Sequence, residues 1–422
     1  MACTVQGIVP SLLAGEILTG GLIMDKSEIL KTKDRSVTLI LSHRCNLNCS
    51  YCYQKHEDRD SCSMPLEVAQ TLLKKEFAKV PVGSTLGIVL MGGEPLIDWP
   101  LFKSLCEWIF SQKWPTQYRV VVSTNGTLIT EDIKEWLRRY KDKIILGLSY
   151  DGNPGMQETN RHTGRFNIDL DFFLKTWGHQ GVKMTLSAET MGRLSEGLKY
   201  LHEECGMGRG YKSDTSMDEN SIGCNIAYGI DLGPKEYYLL KRELTTLIDY
   251  YLNEGKDFTP ATILNMDLSY CPPEVNPASI NKYCGVGTAM NCYDTDGKCY
   301  PCQYFLPLTQ PKENIERIKE FNFAGDVSDP ACKSCPIETM CPTCYGNNFV
   351  RTGNPFVRDK SLCPFFKLIF LANCILQTRR LLNIDAEKTD KEVYTLRIVE
   401  KIYPRLLNDI EEYERNNPEG IS

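Results

Sequence analysis

The chain has 422 residues, of which 42% are hydrophobic and 24% are charged. This composition is ordinary for a globular protein and excludes a disordered, collagen-like or coiled-coil chain, and at about 150 residues per domain the length suggests two or three domains. The 48 Lys and Arg against 54 Asp and Glu give a net charge of −6, so the bulk charge does not indicate a nucleic-acid or anionic-membrane partner.

The sequence shows neither an export signal nor a membrane span. No cluster of Lys and Arg precedes the mildly apolar residues 1–21, which therefore make a poor signal peptide. The most apolar stretch, residues 364–376, contains Lys367 and is too short to cross a bilayer. We therefore expect a cytoplasmic protein without a membrane partner. In a reducing compartment, the 19 cysteines of the chain are more typical of metal ligands than of disulfide bonds.

Residues 36–255 alternate between predicted strands and predicted helices. Six stretches are short, apolar and bounded by Gly, Ser, Asn or Asp, as buried parallel strands are: 37–41, 86–91, 118–123, 144–149, 183–187 and 222–228. The predicted helices that follow them are 65–80, 101–113, 130–140, 170–179, 193–205 and 234–254. Six such units in a row predict an α/β fold, a partial (β/α)6 TIM-like barrel with its chemistry at the C-terminal strand ends.

The pattern changes at about residue 256. Regular elements become scarce up to Cys363, and eleven of the 19 cysteines lie between Cys271 and Cys374. Apolar burial alone cannot hold such a stretch together, so we expect bound metal. The predicted organisation is an N-terminal extension at 1–35, a barrel at 36–255, a cysteine-rich domain at 256–375 and a tail at 376–422, with a charged amphipathic helix over 391–417.

Three cysteines, Cys45, Cys49 and Cys52, follow the first predicted strand with the spacing C-x3-C-x2-C. Three thiolates on one loop can hold three corners of a [4Fe–4S] cube. The fourth iron then lacks a protein ligand and can bind a small molecule, just as catalytic zinc sites keep one position open. The alternative is a zinc knuckle with His43 or His56 as the fourth ligand.

This spacing, with an aromatic residue before the third cysteine, resembles the cluster motif of the radical S-adenosylmethionine (SAM) superfamily. Segments similar to that family's motifs follow the next three predicted strands in order: GGEP at 92–95, STNG at 123–126 and SYDG at 149–152. The resemblance covers about residues 36–255. It implies that Cys45, Cys49 and Cys52 are the catalytic cluster ligands. It also implies a set of SAM-binding residues: Tyr51, Gly92, Gly93, Glu94, Ser123, Asn125, Ser149 and Arg161.

Each motif has a physical reason to bind SAM. Two glycines let backbone approach a ligand closely, and the strand edge offers carbonyls to the methionine ammonium group. In the family, the STNG segment lies near the ribose, and a cation at Arg161 suits a carboxylate. Any one of these motifs alone would more often be an ordinary strand-to-helix turn. Their order along successive strands carries the resemblance.

The C-terminal cysteines form a second pattern. Cys284 and Cys302 are spaced as C-x12-G-x4-C, and Cys363 lies 19 residues after the last of a group of four, Cys332, Cys335, Cys341 and Cys344. The pattern resembles the SPASM extension of radical SAM enzymes, over about residues 271–363, which binds two auxiliary [4Fe–4S] clusters. The alternative is a pair of structural zinc sites.

The SPASM resemblance implies how these ligands are shared. One cluster takes Cys284, Cys302 and Cys344, and the other takes Cys332, Cys335, Cys341 and Cys363. The fourth ligand of the first cluster is expected to be Cys271, with Cys292, Cys299 or an open iron as alternatives. The chain has C-x2-C between Cys341 and Cys344 where the family commonly has C-x3-C, which changes the reach of Cys344. The remaining cysteines, such as Cys106, are most simply buried apolar residues.

The two resemblances together imply three [4Fe–4S] clusters and SAM as cofactors. Reduced SAM yields a 5′-deoxyadenosyl radical that abstracts hydrogen from a C–H bond of a ribosomally made precursor peptide, while the protein binds and orients. Anaerobic sulfatase-maturating enzymes share this plan but have a basic Asp where this chain has Gln303, and an amide has no basic site near neutral pH. We therefore expect a thioether or carbon–carbon cross-link.

Three alternatives remain open at this stage. They are formylglycine formation, epimerisation with Cys224 as a hydrogen donor, and a non-enzymatic iron–sulfur or zinc scaffold. The expected partners are the precursor peptide and an electron donor such as flavodoxin or ferredoxin. Because few residues precede the first strand, the leader is recruited either by a separate leader-binding protein or by surfaces of this chain, such as residues 1–30 or the last helix.

Overall fold

The computed structural model describes residues 34–54, 63–177, 181–209, 222–271, 284–325, 327–383 and 387–419. Within these residues the strands are β1 Arg35–Ile40, β2 Thr85–Met91, β3 Gln117–Thr124, β4 Ile144–Ser149, β5 Val182–Leu186, β6 Gly223–Ile226, β7 Met290–Tyr293 and β8 Cys299–Tyr300. They form one sheet in the order β6-β5-β4-β3-β2-β1-β7-β8. Strands β1 to β6 are parallel to their neighbours, which confirms the predicted α/β fold with six parallel strands.

Helices connect the strands and continue after them. They are α1 Leu66–Phe77, α2 Trp99–Ser111, α3 Glu131–Arg139, α4 Pro154–Arg161, α5 Leu170–Thr176, α6 Leu194–Glu203, α7 Pro234–Leu252, α8 Lys312–Arg317, α9 Tyr345–Thr352, α10 Cys363–Leu382 and α11 Asp390–Asn416. Every helix expected from the sequence is present, with ends shifted by a few residues. Helix α4 was not predicted, because Met156 is the single large apolar side chain in its eight residues and gives no helical stripe.

The two faces of the sheet have different environments. Along strands β2 to β6, alternate side chains such as Val122, Leu146 and Met184 are buried in the main core with the helices. The intervening residues, such as Ser123 and Gly147, are half-buried and lie on the opposite face, which we call the inner face. This alternation is the period of two expected of a strand. The sites described below are built on the inner face and on the loops at the C-terminal strand ends.

The cysteine-rich region joins the same sheet. Strand β7 runs parallel to β1, with Ser36 opposite Met290 and Leu39 opposite Tyr293, and β8 returns antiparallel to it. A four-residue strand with the sequence MNCY has no apolar run, so the sequence did not predict it. Its pairing places the cysteine-rich region directly beside the strand that leads into the Cys45 loop. The predicted domain boundaries themselves stay a prediction.

A buried carboxylate fixes β7 against α1. Glu76 is 1% exposed and accepts hydrogen bonds from the Tyr293 hydroxyl (2.6 Å) and the Asn291 amide (3.2 Å), besides pairing with Lys79. Burial acts to raise the pKa of Glu76, but these donors outweigh it and hold that pKa below its usual range. The carboxylate is therefore ionised at neutral pH and depends on its donors.

Helix α10 is the central helix of the C-terminal part. The stretch Lys360–Leu382, which is longer than the apolar stretch 364–376 seen in the sequence, is long and apolar enough to cross a membrane by length and composition alone. However, 72% of its most apolar window is buried inside the protein. Contacts with α7 and α11 cover it, as expected of a core helix in a soluble protein.

We predict that Tyr293→Phe lowers the free energy of unfolding by about 1.5–3 kcal/mol, because a buried carboxylate loses a hydrogen bond. Urea unfolding followed by circular dichroism measures the change. The matched control is Tyr118→Phe, which alters a half-buried tyrosine that also packs on α1, through Phe77, and should cost less than about 0.5 kcal/mol. Equal effects of the two substitutions would contradict the proposed role of Glu76 in fixing β7.

Candidate active site

The structure brings the three N-terminal cysteines together on the loop after β1. Cys45, Cys49 and Cys52 are half-buried, and the Ser50 N–H donates to the carbonyl of Asn160 at the end of α4 (2.8 Å). Burial raises the pKa of Cys49 to about 11; Arg161 opposes that shift, and the neighbouring Cys52 and Cys45 add to it. The three thiols therefore interact, with a guanidinium beside them.

Gly92 and Gly93 are required by the approach of this loop. A Cβ atom on Gly92 would collide with the carbonyl oxygen of Ser42, and one on Gly93 with that of Arg44. The Gly93 N–H donates to Ser42 and the Glu94 N–H to Arg44, both at 2.9 Å. The missing side chains make room for the backbone that leads to Cys45, and the predicted SAM contact of the two glycines stays a prediction.

The Glu94 carboxylate is buried and hydrogen-bonded to other groups of the protein. It is 1% exposed and accepts from the Thr124 hydroxyl (2.7 Å), the Asn125 N–H (2.8 Å) and the Leu96 N–H (3.2 Å). Burial raises its pKa to about 7 against these donors. The Asn125 side chain in turn donates to Asn46 in the cysteine loop (3.0 Å). These contacts join the C-terminal ends of β2 and β3 to that loop.

Asp151 is the centre of the best-connected polar network at the site. It is fully buried and accepts from the Tyr51 hydroxyl (2.6 Å) and from Arg161 through Nε (2.9 Å) and Nη2 (3.1 Å). The Asn160 amide (3.1 Å) and the Thr185 N–H (2.8 Å) complete the set. The cysteine loop, α4 and β5 therefore meet at one carboxylate.

Arg161 is buried beside Asp151 and lies over the Tyr51 ring at 5.4 Å. Burial disfavours its charge, but Asp151, Tyr51 and Cys49 outweigh that effect and raise its pKa, so the guanidinium is always charged. Arg161 Nε and Nη2 both donate hydrogen bonds to Asp151. Among the described residues, Nη1 is therefore the group that can donate to a ligand.

Ser123 and Ser149, the other two predicted SAM contacts, lie on the inner face. Ser149 is half-buried and stands opposite Lys183 in the β4–β5 pairing. The Ser123 hydroxyl accepts a hydrogen bond from the Lys183 ammonium group (2.5 Å). Lys183 is the one charged residue of β5 and belongs to no motif, so the sequence does not predict its place at the site.

Four C-terminal cysteines line one cavity, and they are the four that the resemblance assigns to one cluster: Cys332, Cys335, Cys341 and Cys363. Burial raises the pKa of Cys341 to about 12 and that of Cys363 to about 11. Arg358 opposes the first shift and Lys360 the second, and the Lys360 ammonium group also lies 3.0 Å from the Cys332 sulfur. The cavity thus combines four thiols with cations that favour thiolates.

The second group forms around Cys302. Burial raises the pKa of Cys302 well above its usual range, and Cys344, Cys284 and Cys292 add to the shift. Cys344 therefore lies near Cys302 despite the shortened C-x2-C spacing. Cys271, the expected fourth member, instead lies beside Cys374 on α10. Cys299 is exposed and lies near Tyr293.

Two stacked tyrosines lie between the N-terminal cysteines and the Cys302 group. The rings of Tyr53 and Tyr304 are 4.0 Å apart and 19° from parallel. Burial raises the pKa of both tyrosines well above the usual range. Cys52 and Cys302 add to the shift of Tyr53, and Cys344 and Cys302 add to that of Tyr304. Tyr53 directly follows Cys52 in the sequence, and Tyr304 lies two residues after Cys302. The contact between the two rings is set by tertiary structure, so the sequence does not predict it.

The zinc alternative names His43 or His56 as a fourth ligand. His43 is paired with Asp294 between β7 and β8, and His56 lies outside the described residues. Among the residues that the structure describes, no three His, Cys, Asp or Glu side chains are grouped as ligands of a single metal ion. Cys224, the expected hydrogen donor for epimerisation, is 1% exposed in the core behind the sheet, away from the inner face.

Comparison with known proteins agrees with this geometry. Residues 39–172 match the family model of the Radical SAM superfamily. The chain is 23% identical over 375 residues to the radical SAM cyclopropyl synthase TigE of Paramaledivibacter caminithermalis, covering 79% of this chain and 73% of TigE. It is 32% identical over 114 residues to the subtilosin biosynthesis protein AlbA of Bacillus subtilis, covering 27% and 23% of the two chains.

Solved structures show the same fold. The structure of anSMEcpe with bound AdoMet and the Kp18Cys peptide has a TM-score of 0.60 at 19% identity and covers 90% of this chain and 99% of that chain. Streptococcus suis SuiB bound to its precursor peptide SuiA has a TM-score of 0.50 at 16% identity, with coverages of 84% and 86%. Residues 39–172 therefore form a domain that matches the Radical SAM superfamily, and the chain is an enzyme.

Proposed function

We propose that this radical SAM enzyme modifies a ribosomally made precursor peptide by forming a thioether or carbon–carbon cross-link. The observation that carries the proposal is the grouping of the cysteines into three sets, one on the loop beside Arg161 and Asp151 and two in the C-terminal region. Relatives support a peptide substrate, since AlbA is named for bacteriocin biosynthesis and the SuiB and anSMEcpe structures hold peptides.

The donor sets fit iron–sulfur clusters. Cys45, Cys49 and Cys52 offer three sulfur ligands, and Cys332, Cys335, Cys341 and Cys363 offer four around a cavity, which are the numbers that an open and a closed [4Fe–4S] cube require. When bound, the open cluster and SAM supply a 5′-deoxyadenosyl radical by one-electron reduction of the sulfonium. The protein's part is to hold ligands, orient SAM and the peptide, and exclude water.

The residues near the cysteine loop have distinct roles in this proposal. Arg161 keeps a fixed positive charge beside the loop and orients a carboxylate of SAM through its remaining amino group. Glu94 and Asn125 position the loop from β2 and β3 and act through it. Ser123 and Ser149 present hydroxyl groups on the inner face, where the nucleoside of SAM and the peptide would meet.

Cross-link formation is favoured over two other peptide modifications. Gln303, which follows the ligand Cys302, has an amide that cannot accept the proton released in formylglycine formation. Cys224 lies on the core side of β6, so it cannot return hydrogen to a substrate radical on the inner face. Formylglycine formation remains the second candidate because anSMEcpe shares this fold over nearly its full length.

The Tyr53–Tyr304 pair supports a role for the auxiliary clusters. A cross-link to carbon leaves one electron on the product radical, and an auxiliary cluster at Cys302 can accept it. The stacked rings of Tyr53 and Tyr304 connect the segment that follows Cys52 to the segment that follows Cys302. We further propose a cytoplasmic location, an external electron donor such as flavodoxin or ferredoxin, and either a separate leader-binding protein or a leader site on this chain.

The cluster assignment predicts a specific change in iron content. After anaerobic reconstitution, the full chain should bind about twelve irons, and the triple variant Cys45→Ala/Cys49→Ala/Cys52→Ala about eight, with SAM cleavage by dithionite abolished. The control Cys106→Ala changes a thiol buried in α2 and should keep all twelve. Bound zinc in place of iron, or an unchanged iron content in the triple variant, would refute the assignment.

A second proposal concerns the cysteine that completes the Cys302 cluster. We propose Cys292, because it lies close enough to Cys302 for its charge to raise the Cys302 pKa. Cys292→Ala should remove about four irons or shift the auxiliary-cluster signals in electron paramagnetic resonance (EPR) spectra, whereas Cys271→Ala should leave both unchanged. The opposite result would restore Cys271 as the ligand, and no change in either variant would indicate an open iron.

A further inference from the structure

Lys183 is a cation on the inner face that the proposed chemistry does not use. It lies on β5 between Val182 and Met184, both of which are buried in the core, so its own side chain projects on the opposite face. It stands opposite Ser149 on β4 and Gly223 on β6. The side chain passes over Gly147, where a Cβ atom would lie 3.5 Å from the Lys183 Cε, and ends at the Ser123 hydroxyl.

The surroundings of this ammonium group favour an anion. The side chain is exposed to water, yet protein on several sides lowers the pKa of Lys183 by partial burial. Among the described residues it forms no ion pair within 4.0 Å, in contrast to Lys134 and Lys175 in the neighbouring helices. An ammonium group has three donors, and Ser123 takes one, which leaves two for a ligand that compensates the charge.

The anion that fits Lys183 is not the carboxylate of SAM. In the proposed function that carboxylate lies at the cysteine loop, where Arg161 acts directly on Cys49. The Lys183 ammonium group instead binds Ser123 on β3 and its side chain passes over Gly147 on β4, whereas Arg161 is bound to Asp151.

We propose that Lys183, held by Ser123, forms a subsite for a carboxylate of the peptide substrate. The inference rests on the proposed function, because a peptide must enter the inner face for the subsite to be used. Two N–H donors of one ammonium group suit one carboxylate in a charge-assisted pair. The carboxylate belongs either to an Asp or Glu side chain or to a peptide C-terminus, and the Ser123–Lys183 contact fixes its position relative to the nucleoside of SAM.

The test uses the reconstituted full-length enzyme with SAM and three blocked probes. These are acetyl-Gly-Gly-Glu-Gly-Gly-amide, the same peptide with Gln, and acetyl-pentaglycine with a free carboxyl group. Isothermal titration calorimetry should show that a carboxylate probe binds about tenfold tighter than the Gln probe. The preferred probe identifies the source of the carboxylate, and no preference in the wild-type enzyme would overturn the proposal.

Variants connect the preference to Lys183. Lys183→Met should abolish it, and Lys183→Arg should retain it because the charge is kept. Lys175→Met, which changes an exposed lysine on α5, is the matched control and should leave it intact. Iron content and the SAM dissociation constant are measured in each variant. A preference that survives in Lys183→Met would overturn the subsite, as would a loss of SAM affinity without any change in the peptide preference.

The proposed function is tested separately in the same samples. Wild-type enzyme that fails to cleave SAM with dithionite would contradict the radical chemistry, whatever the peptide preference. Wild-type enzyme that cleaves SAM but binds all three probes equally would contradict the Lys183 subsite alone. The two failures are therefore distinguishable.

Discussion

The geometry of the site depends on one buried carboxylate, Asp151. A charge removed from water is costly unless opposite charge and hydrogen bonds replace its hydration. Here the replacement comes from Tyr51, Arg161, Asn160 and the backbone of Thr185. Removing one partner of such a buried pair costs about 3–5 kcal/mol, because the remaining buried charge is then only partly compensated.

This network explains how a cysteine loop with little regular structure keeps a defined position. Tyr51 lies between two of the cysteines, so its bond to Asp151 fixes the loop from the β4 side. From the β2 side, Gly92 and Gly93 allow backbone contact with the loop entrance, and Glu94 joins the ends of β2 and β3. Motif residues that sequence reasoning treats as ligand contacts thus build the frame that holds the ligand-binding loop.

The two C-terminal cysteine groups show a different use of charge. Arg358, Lys360 and Lys367 surround or line the four-cysteine cavity, whereas the Cys302 group is enclosed by Tyr53 and Tyr304. Cations near a cluster stabilise its more reduced, more negative state. The neutral rings of Tyr53 and Tyr304 do not offer that compensation. Under the proposed cluster assignment, the two auxiliary sites would therefore differ in reduction potential, with the cation-lined site higher.

Much of this arrangement was predictable from local sequence. Apolar runs bounded by turn residues predicted the six parallel strands, and the resemblance to the SPASM extension grouped Cys332, Cys335, Cys341 and Cys363. The errors have physical causes. Strand β7 is four residues long and half polar, so pairing with β1 determines it rather than its own propensity. Cys292 lies near Cys302 because β7 and β8 pair antiparallel, with Cys292 opposite Tyr300. Neither the Tyr53–Tyr304 stack nor the position of Lys183 follows from periodicity alone.

The central claim is that one iron on the Cys45, Cys49 and Cys52 loop is left for SAM. Electron–nuclear double resonance on the reduced full-length enzyme, with SAM labelled by ¹⁵N at the methionine amino group, tests it most directly. The account predicts a ¹⁵N hyperfine coupling that is lost when the three cysteines are replaced by alanine. A reduced enzyme that binds labelled SAM without any such coupling, or a coupling that survives in the alanine variant, would contradict it.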